Sequence, residues 1–202
     1  MLKNTKKKGI ATRAIHAGQE PDKSTGAIMV PIYATSTYIQ ESPGKHLGYE
    51  YSRTQNPTRD AYEKCVASLE GGDFGFAFAS GMAAADTILS LLNVGDEVLA
   101  IDDLYGGTRR LFEKVKVKKN AINFKFINYK NFQNIEKFIT DKTRMIWVES
   151  PTNPMLTLVD LRKLWKIQYN IITVLDNTFA SPINERPLEL GADIVMHSAT
   201  KY

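Results

Sequence analysis

Short apolar runs alternate with helical stretches along most of this chain, and this alternation is the feature that most constrains its fold. Nearly every residue in the runs is apolar or β-branched, which predicts strands at residues 74–79, 97–101, 124–127, 145–148, 171–175 and 194–196. Apolar residues recur at helical spacing at 81–92, 108–115, 131–139 and 161–169. Strands that are apolar on both faces are typical of a parallel sheet covered by helices. We therefore expect an α/β domain with a mostly parallel sheet.

The first 57 residues have a different pattern. They are rich in Gly, Pro, Ser and Thr and show no sustained helical period, so they cannot easily bury a core of their own. We expect residues 1–57 to form an extended arm that lies against another protein surface. A helix capped by Thr58 and ended by Gly71-Gly72 should then begin the α/β domain, which we place at residues 58–202.

The charge and composition narrow the class of protein. The net charge of +4 arises near the start, where Lys3, Lys6, Lys7 and Lys8 supply four of the 26 basic residues; the other 22 balance 22 acidic ones. A short basic terminus is usually solvated and mobile, which argues against a nucleic-acid partner. One cysteine and three scattered histidines give no metal-ligand spacing. The absence of a bilayer-length apolar run and of a secretory signal predicts a cytoplasmic protein without a membrane partner.

Polar residues follow the apolar runs at the ends where ligands bind. In open α/β sheets, ligands lie beyond the carboxyl ends of the strands. The segments found there are Ser80-Gly81-Met82, residues 102–108, residues 149–154, Asp176-Asn177-Thr178 and His197-Ser198-Ala199-Thr200-Lys201. Four of these five segments bring an ionisable group to one edge of the sheet, and the fifth brings a Ser-Gly turn at a helix start. This convergence predicts a ligand site.

The first part of that site suits a phosphate group. Gly81 and Met82 stand at a predicted helix N-terminus, where backbone N–H groups and the helix dipole favour an anion. Ser198 and Thr200 can donate hydroxyl hydrogen bonds to the same phosphate. A Ser-Gly pair before a helix is also a common cap, so these residues alone do not identify the ligand.

The second part suits an aromatic aldehyde cofactor. Lys201 can hold an aldehyde covalently, Asp176 can keep a pyridine nitrogen protonated, and Tyr105 can stack on the ring and transfer protons. Taken singly, an aspartate after a strand is usually a cap and a Tyr-Gly-Gly is usually a turn. The order of the motifs along the chain decides between these interpretations.

That order resembles the family of pyridoxal-phosphate (PLP) enzymes of cysteine and methionine metabolism, from about Thr12 to the last residue. The resemblance is carried by residues 49–53 (Tyr-Glu-Tyr-Ser-Arg), 56–59 (Asn-Pro-Thr-Arg), 80–82, 103–108, 149–154, 176–178 and 197–202. It implies the aspartate-aminotransferase fold (fold type I), of which this chain would form the large domain without its C-terminal end. It also implies that a segment of roughly the same length follows, and that this segment contains the arginine that binds the carboxylate of the substrate.

The resemblance assigns roles to individual positions. Lys201 resembles the cofactor lysine, Asp176 the partner of the pyridine nitrogen, and Asn153 a residue near the cofactor's phenolic oxygen. Tyr105 resembles the ring-stacking tyrosine. The residues similar to the remaining cofactor contacts are Gly81, Met82, Thr178, Ser198 and Thr200.

Two further residues imply an oligomer. Tyr51 and Arg53 resemble the pair that reaches the cofactor phosphate of a neighbouring subunit, and the guanidinium of Arg53 suits a phosphate. The resemblance thus implies a homotetramer built from dimers with shared active sites. The arm at residues 1–57 would be ordered by that contact.

The expected function is trans-sulfuration on a small amino-acid substrate. The Gly-Tyr-Glu-Tyr-Ser-Arg and Tyr-Gly-Gly-Thr segments favour chemistry at the γ-carbon of cystathionine or of an activated homoserine, as in a γ-synthase or γ-lyase. A β-lyase stays open, whereas Gly107, where methionine γ-lyases typically have cysteine, argues against a methionine γ-lyase. A different phosphate-binding α/β protein lacks its usual glycine motifs here, and a non-catalytic scaffold would not require Lys201 or Asp176.

Overall fold

The computed structural model describes residues 8–132, 134–164 and 170–202. The chain divides into two compact units, which comprise residues 1–77 and 78–202. Within the described part of the chain, no helix combines the length and the apolar character needed to cross a bilayer.

The N-terminal unit contains helix α1 (Ile10–His16), strands β1 (Gln40–Ser42) and β2 (Lys45–His46), and helix α2 (Pro57–Glu70). β1 and β2 form a small antiparallel pair. Helix α1 was not predicted, because the first 57 residues show no sustained helical period in the sequence. This short helix packs on α2, and the buried guanidinium of Arg13 donates a hydrogen bond to the carbonyl oxygen of Ser68 in α2.

Helix α2 corrects the predicted cap. Asn56, not Thr58, caps the helix, because its Oδ1 accepts the N–H of Thr58 at 2.9 Å and Pro57 supplies a favourable first residue. The hydroxyl of Thr58 instead donates to the carbonyl oxygen of Pro31 at 2.9 Å. The predicted helix end is confirmed: Gly71 follows α2 with φ 79°, a backbone conformation that glycine adopts without strain.

The strand predicted at residues 74–79 is wrong. Residues 74–78 lie outside any helix or strand, and the side chains of Phe74 and Phe76 are 82% and 76% exposed. The alternate residues face α2 instead: the N–H of Ala77 donates to Glu63 Oε1 at 2.8 Å, and a Cβ on Gly75 would lie 2.2 Å from the Glu63 carbonyl oxygen. An apolar run becomes a buried strand only when a neighbouring strand pairs with it. This segment lies along helix α2 instead and forms no strand.

The C-terminal unit contains a five-stranded parallel sheet with the order β4-β3-β5-β6-β7. Its strands are β3 (Glu97–Ile101), β4 (Asn123–Ile127), β5 (Thr143–Glu149), β6 (Ile172–Asp176) and β7 (Ile194–Met196). All five coincide with predicted apolar runs, within two residues at each end. The α/β fold class predicted from the sequence is confirmed.

Short helices precede or connect these strands. They are α3 (Gly81–Leu89), α4 (Gly106–Arg110), a π-helical segment (Leu111–Lys116), α5 (Val117–Asn120), α6 (Tyr129–Phe132), a 3₁₀ helix (Ile135–Phe138), α7 (Leu161–Leu164), α8 (Ser181–Asn184) and α9 (Pro187–Leu190). The helix predicted at 108–115 is thus part of a longer helical stretch, and that at 81–92 is shorter. The helix predicted at 131–139 is two short pieces with residue 133 outside the described residues. Residues 165–169 of the last predicted helix also lie outside them.

Burial explains why the strands are so apolar. β5 lies in the middle of the sheet, and Met145, Ile146, Trp147 and Val148 are all fully buried. The Trp147 ring meets the ring of Phe112 edge to face at 5.3 Å between centroids. A strand covered on both faces has no solvent-facing side, so its residues do not alternate between polar and apolar.

The strand order also locates a binding edge. The chain passes from β3 to β4 on one side and then crosses back over β3 to β5, after which β6 and β7 follow on the other side. The order therefore reverses between β3 and β5, and ligands bind beyond the carboxyl ends of strands at such a point. The loops that follow β3 and β5 contain Tyr105 and Asn153.

Candidate active site

The N-terminus of α3 lies directly against the segment that follows β7. Ser80 caps the helix, since its Oγ accepts the N–H of Ala83 at 3.1 Å. A Cβ on Gly81 would lie 2.9 Å from the Cβ of Ser198, so only glycine allows the helix start to approach so closely. The first N–H groups of a helix have no partner inside it, and those of Gly81 and Met82 belong to this set. Backbone donors and the Ser198 hydroxyl are thereby brought together.

Asp176 ends β6 as a buried carboxyl group with 6% exposure. Its Oδ1 accepts the N–H of Thr178 at 3.1 Å and the Thr178 hydroxyl at 2.5 Å. The Thr178 hydroxyl oxygen also accepts the N–H of Ser198 at 2.9 Å, which ties the end of β6 to the segment after β7. Burial raises the pKa of Asp176, while the bonds from Thr178 and the nearby His197 and Lys201 act in the opposite direction.

Lys201 points into the same region. Its Nζ donates to the Ser198 hydroxyl at 3.2 Å and lies 5.7 Å from the centroid of the Tyr105 ring. The ammonium group therefore stands between a hydroxyl beside the α3 N-terminus and an aromatic face. Lys201 and Tyr105 line one narrow cleft together with Glu149, Asn153, Asp176, Thr178 and Phe179.

The ring of Tyr105 is placed by a glycine two residues further on. A Cβ on Gly107 would lie 2.4 Å from Tyr105 Cε1 and 3.1 Å from Met82 Sδ. Any other residue at this position would push the ring away. The absence of a side chain at residue 107 thus has a direct steric consequence.

Glu149 links the two loops that border the cleft. This carboxyl group ends β5, is 5% exposed, and accepts backbone N–H bonds from Tyr105 and Asn153, both at 2.8 Å. Burial raises its pKa to about 8; the negative charges of Asp176 and Asp103 act in the same direction, and the two N–H bonds act against it.

The structure therefore brings together most of the residues that the sequence singled out. Lys201, Tyr105, Asp176, Asn153 and Thr178 line the cleft. Gly81 and Met82 adjoin it through their contacts with Ser198 and with the Tyr105 to Gly107 turn. Thr200 precedes Lys201 and is exposed.

Tyr51 and Arg53 belong to the other compact unit. There the Arg53 guanidinium lies 4.9 Å from the centroid of the Tyr51 ring, so the two side chains form a pair. Their predicted contact with a neighbouring subunit's cofactor stays a prediction.

Glu149 and Phe179 also line the cleft, and no role for either was predicted from the sequence. Glu149 was visible as an ionisable residue directly after an apolar run, but its contacts join loops far apart in the sequence. Phe179 follows the Asp176-Asn177-Thr178 motif with no separate signal.

Comparison with known proteins agrees with this geometry. Residues 11–202 match the model of one family, described as Cys/Met metabolism PLP-dependent enzyme. The chain belongs to this family.

Similar proteins include a cystathionine beta-lyase from Coxiella burnetii, which is 60% identical over 201 residues, covering 98% of this chain and 52% of that protein. A probable cystathionine gamma-synthase from Herpetosiphon aurantiacus is 50% identical over 96% of this chain and 61% of its own length. The crystal structure of metB from Corynebacterium glutamicum superposes with a TM-score of 0.94 at 43% identity, covering 98% of this chain and 52% of that one. The chain thus spans about half the length of the relatives it matches.

Members of this Cys/Met metabolism family depend on PLP, and the cleft has the chemistry to hold it. The buried carboxyl group of Asp176 suits a protonated pyridine nitrogen, which would supply the positive charge that a buried carboxylate needs. The close approach of Gly81 to Ser198 brings helix N–H groups beside a hydroxyl, a donor set that suits a phosphate. Lys201, between these two parts, is placed to bind the aldehyde carbon.

Proposed function

We propose that the enzyme containing this chain is a PLP-dependent trans-sulfuration enzyme that breaks or forms a carbon–sulfur bond of cystathionine. The observation that carries the proposal is the cleft in which Lys201, Asp176 and Tyr105 meet at the carboxyl edge of the sheet. When bound, PLP supplies an electron sink for the bonds that break at the substrate's α-carbon.

The chain's own residues then have distinct tasks. Lys201 would hold the cofactor through its ε-amine, and the same amine would take and return protons at the substrate carbons. Asp176 keeps the proton on the pyridine nitrogen. Tyr105 packs its ring against the cofactor and offers its phenol for proton transfer. Gly81, with the other donors at the start of α3, binds the phosphate.

The carbon at which the bond breaks divides the proposal into two candidates. The Tyr-Gly-Gly-Thr and Gly-Tyr-Glu-Tyr-Ser-Arg segments favour the γ-carbon. The 60% identity to a cystathionine beta-lyase over 98% of this chain favours the β-carbon. Product analysis separates them by atom balance: β-cleavage of cystathionine releases homocysteine with pyruvate and ammonia, whereas γ-cleavage releases cysteine with 2-oxobutyrate and ammonia. A γ-synthase would instead join the sulfur of cysteine to the γ-carbon of an activated homoserine, with release of the activating group.

The covalent role of Lys201 is tested by trapping the cofactor. The holoenzyme is reduced with borohydride, digested and mapped by mass spectrometry. We expect the pyridoxyl group on Lys201, because this lysine lies between the proposed phosphate donors and the proposed nitrogen partner. Lys125, a lysine on β4, serves as an internal reference and should carry no label. Label on another lysine would refute the assignment.

We also propose that the active unit is at least a dimer, with Tyr51 and Arg53 completing the partner's site. The support is the composition of residues 1–57 and the exposure of apolar side chains there, among them Ile28, Met29 and Ile32 at 75%, 71% and 86%. Clusters of exposed apolar side chains often mark a contact with another protein surface.

Subunit exchange tests this arrangement. Two inactive variants, Arg53→Ala and Lys201→Ala, are mixed under conditions that allow exchange. If sites are shared, one site of the mixed dimer lacks both residues and the other lacks neither, so activity partly returns. No recovery despite demonstrated exchange would place Arg53 in its own subunit's site.

A further inference from the structure

Glu149 occupies an unusual position for a carboxyl group. It is almost fully buried at the end of the central strand β5, and each of its oxygens accepts a backbone hydrogen bond. Oε2 accepts the N–H of Tyr105, in the loop after β3, and Oε1 accepts the N–H of Asn153, in the loop after β5, both at 2.8 Å. One side chain therefore joins the two loops that flank the point where the strand order reverses.

A second contact joins the same loops in the opposite direction. Asp103, in the loop after β3, accepts a hydrogen bond from the hydroxyl of Thr152, in the loop after β5. The Thr152 hydroxyl oxygen in turn accepts the N–H of Thr157 at 2.8 Å. The hydrogen bonds to Glu149 and the hydrogen bond from Thr152 to Asp103 together hold the two loops in one relative position.

The chemistry of the position requires a carboxyl group of this length. Both oxygens of a carboxyl group carry lone pairs in the ionised and the neutral form, so Glu149 can accept both N–H groups at once. A glutamine would direct its NH₂ group at one of the two donors, and an aspartate is one methylene shorter. Burial disfavours the ionised form and raises the pKa of Glu149 to about 8. A buried carboxyl group whose two oxygens both accept backbone hydrogen bonds indicates a role in shaping the cleft.

We propose that Glu149 is a positioning residue of the cofactor cleft, which sets the places of Tyr105 and Asn153 through their backbone N–H groups. It acts through these two residues and not by contact with the reacting atoms. This role rests on the proposed function only in taking the cleft as the PLP site.

Its direct test is hydrogen exchange in the cofactor-free enzyme, measured by mass spectrometry with residue-level fragmentation. In the unsubstituted protein the amides of Tyr105 and Asn153 are expected to be protected, because each donates to Glu149. In Glu149→Gln at least one of them should exchange about 10- to 100-fold faster, as expected for loss of a hydrogen bond to a charged or buried acceptor. PLP should bind about tenfold more weakly, because both cleft walls are displaced.

Glu97→Gln is the matched control. This carboxyl group begins β3 at the other end of the sheet, and its Oε1 accepts the hydroxyls of Thr140 and Thr143 at 3.0 and 2.6 Å. The chemical change is identical, and we expect no change in exchange at Tyr105 or Asn153 or in PLP binding.

Three results would overturn the proposal. The first is unchanged exchange of both amides in Glu149→Gln, and the second is equal acceleration in Glu97→Gln. The third needs no variant and applies even if Glu149→Gln fails to fold: absence of protection at both amides in the unsubstituted enzyme. A protein that binds PLP but does not act on cystathionine or its precursors would refute the proposed function and leave the exchange result standing.

Discussion

Replacing Gly107 with alanine should displace the Tyr105 ring without disturbing the fold. The added Cβ would lie 2.4 Å from Tyr105 Cε1 and 3.1 Å from Cδ1. Carbon atoms in contact prefer about 3.5 to 4.0 Å, so the ring must move by about 1 Å. Tyr105 is 40% exposed and can move toward solvent, and Gly107 does not have a positive φ, so alanine suits the backbone.

We expect Gly107→Ala to lower the catalytic rate and to leave the stability of the fold nearly unchanged. A displacement of about 1 Å in a group that orients the reacting atoms can lower the rate about 100-fold. We therefore expect kcat/KM for the physiological substrate to fall by about two orders of magnitude, with a melting temperature close to that of the unsubstituted enzyme. Steady-state kinetics and thermal unfolding of the holoenzyme measure both.

The neighbouring glycine supplies the control. A Cβ on Gly106 would meet only Arg110 Nη1, at an ordinary 3.5 Å, so Gly106→Ala should keep near-normal activity. A double-mutant cycle gives the sharper test: in a Tyr105→Ala background, Gly107→Ala should have little further effect. Full activity of Gly107→Ala, or an equal loss in the Tyr105→Ala background, would refute the steric argument.

Two further predictions concern the buried carboxyl groups. Asp176→Asn should fold, because the amide oxygen can still accept both Thr178 hydrogen bonds. Its turnover should fall by about 10² to 10³, since an amide cannot hold the pyridine nitrogen protonated. Near-normal turnover would show that Asp176 only caps the strand end. The pKa of Glu149 is raised from 4.5 to about 8, so its neutral form contributes stability that is complete below pH 4.5 and is lost as the pH rises through about 8. At 1.36 kcal/mol per pKa unit, this loss is about 4 kcal/mol between roughly pH 5 and pH 9. Glu149→Gln should remove that pH dependence in urea unfolding of the cofactor-free enzyme, and parallel pH profiles for the two proteins would contradict the argument.

The strands were predictable because their burial shows in the sequence. A strand covered by helices on both faces must be apolar throughout, which is why β3, β5 and β6 appear as near-continuous apolar runs. Parallel strands also bring their carboxyl ends to one edge. Asp176 and Lys201 could therefore be assigned to one site from their places after two such runs.

The sequence was misleading where an element's partner lies elsewhere in the chain. Phe74 and Phe76 belong to a run of strand length, yet that segment packs along α2 and leaves both rings exposed. Hydrophobic composition indicates that a segment needs a partner, but does not identify the partner. The cap of α2 is similar: Thr58 and Asn56 are both capable caps, and Pro57 at the first helical position favours Asn56.

By itself, the sequence determined the fold class, the strands of the sheet and the identity of the groups at its edge, because these depend on local pattern and on the direction of parallel strands. Only the tertiary structure decided the strand order, which places the reversal between β3 and β5. It also decided the contacts of Glu149 with Tyr105 and Asn153 and the packing of Tyr105 on Gly107. The physical reason is that hydrogen bonds and steric contacts act at distances of a few ångströms. Residues as far apart in the chain as Tyr105 and Glu149 reach such distances only after the strands between them have paired.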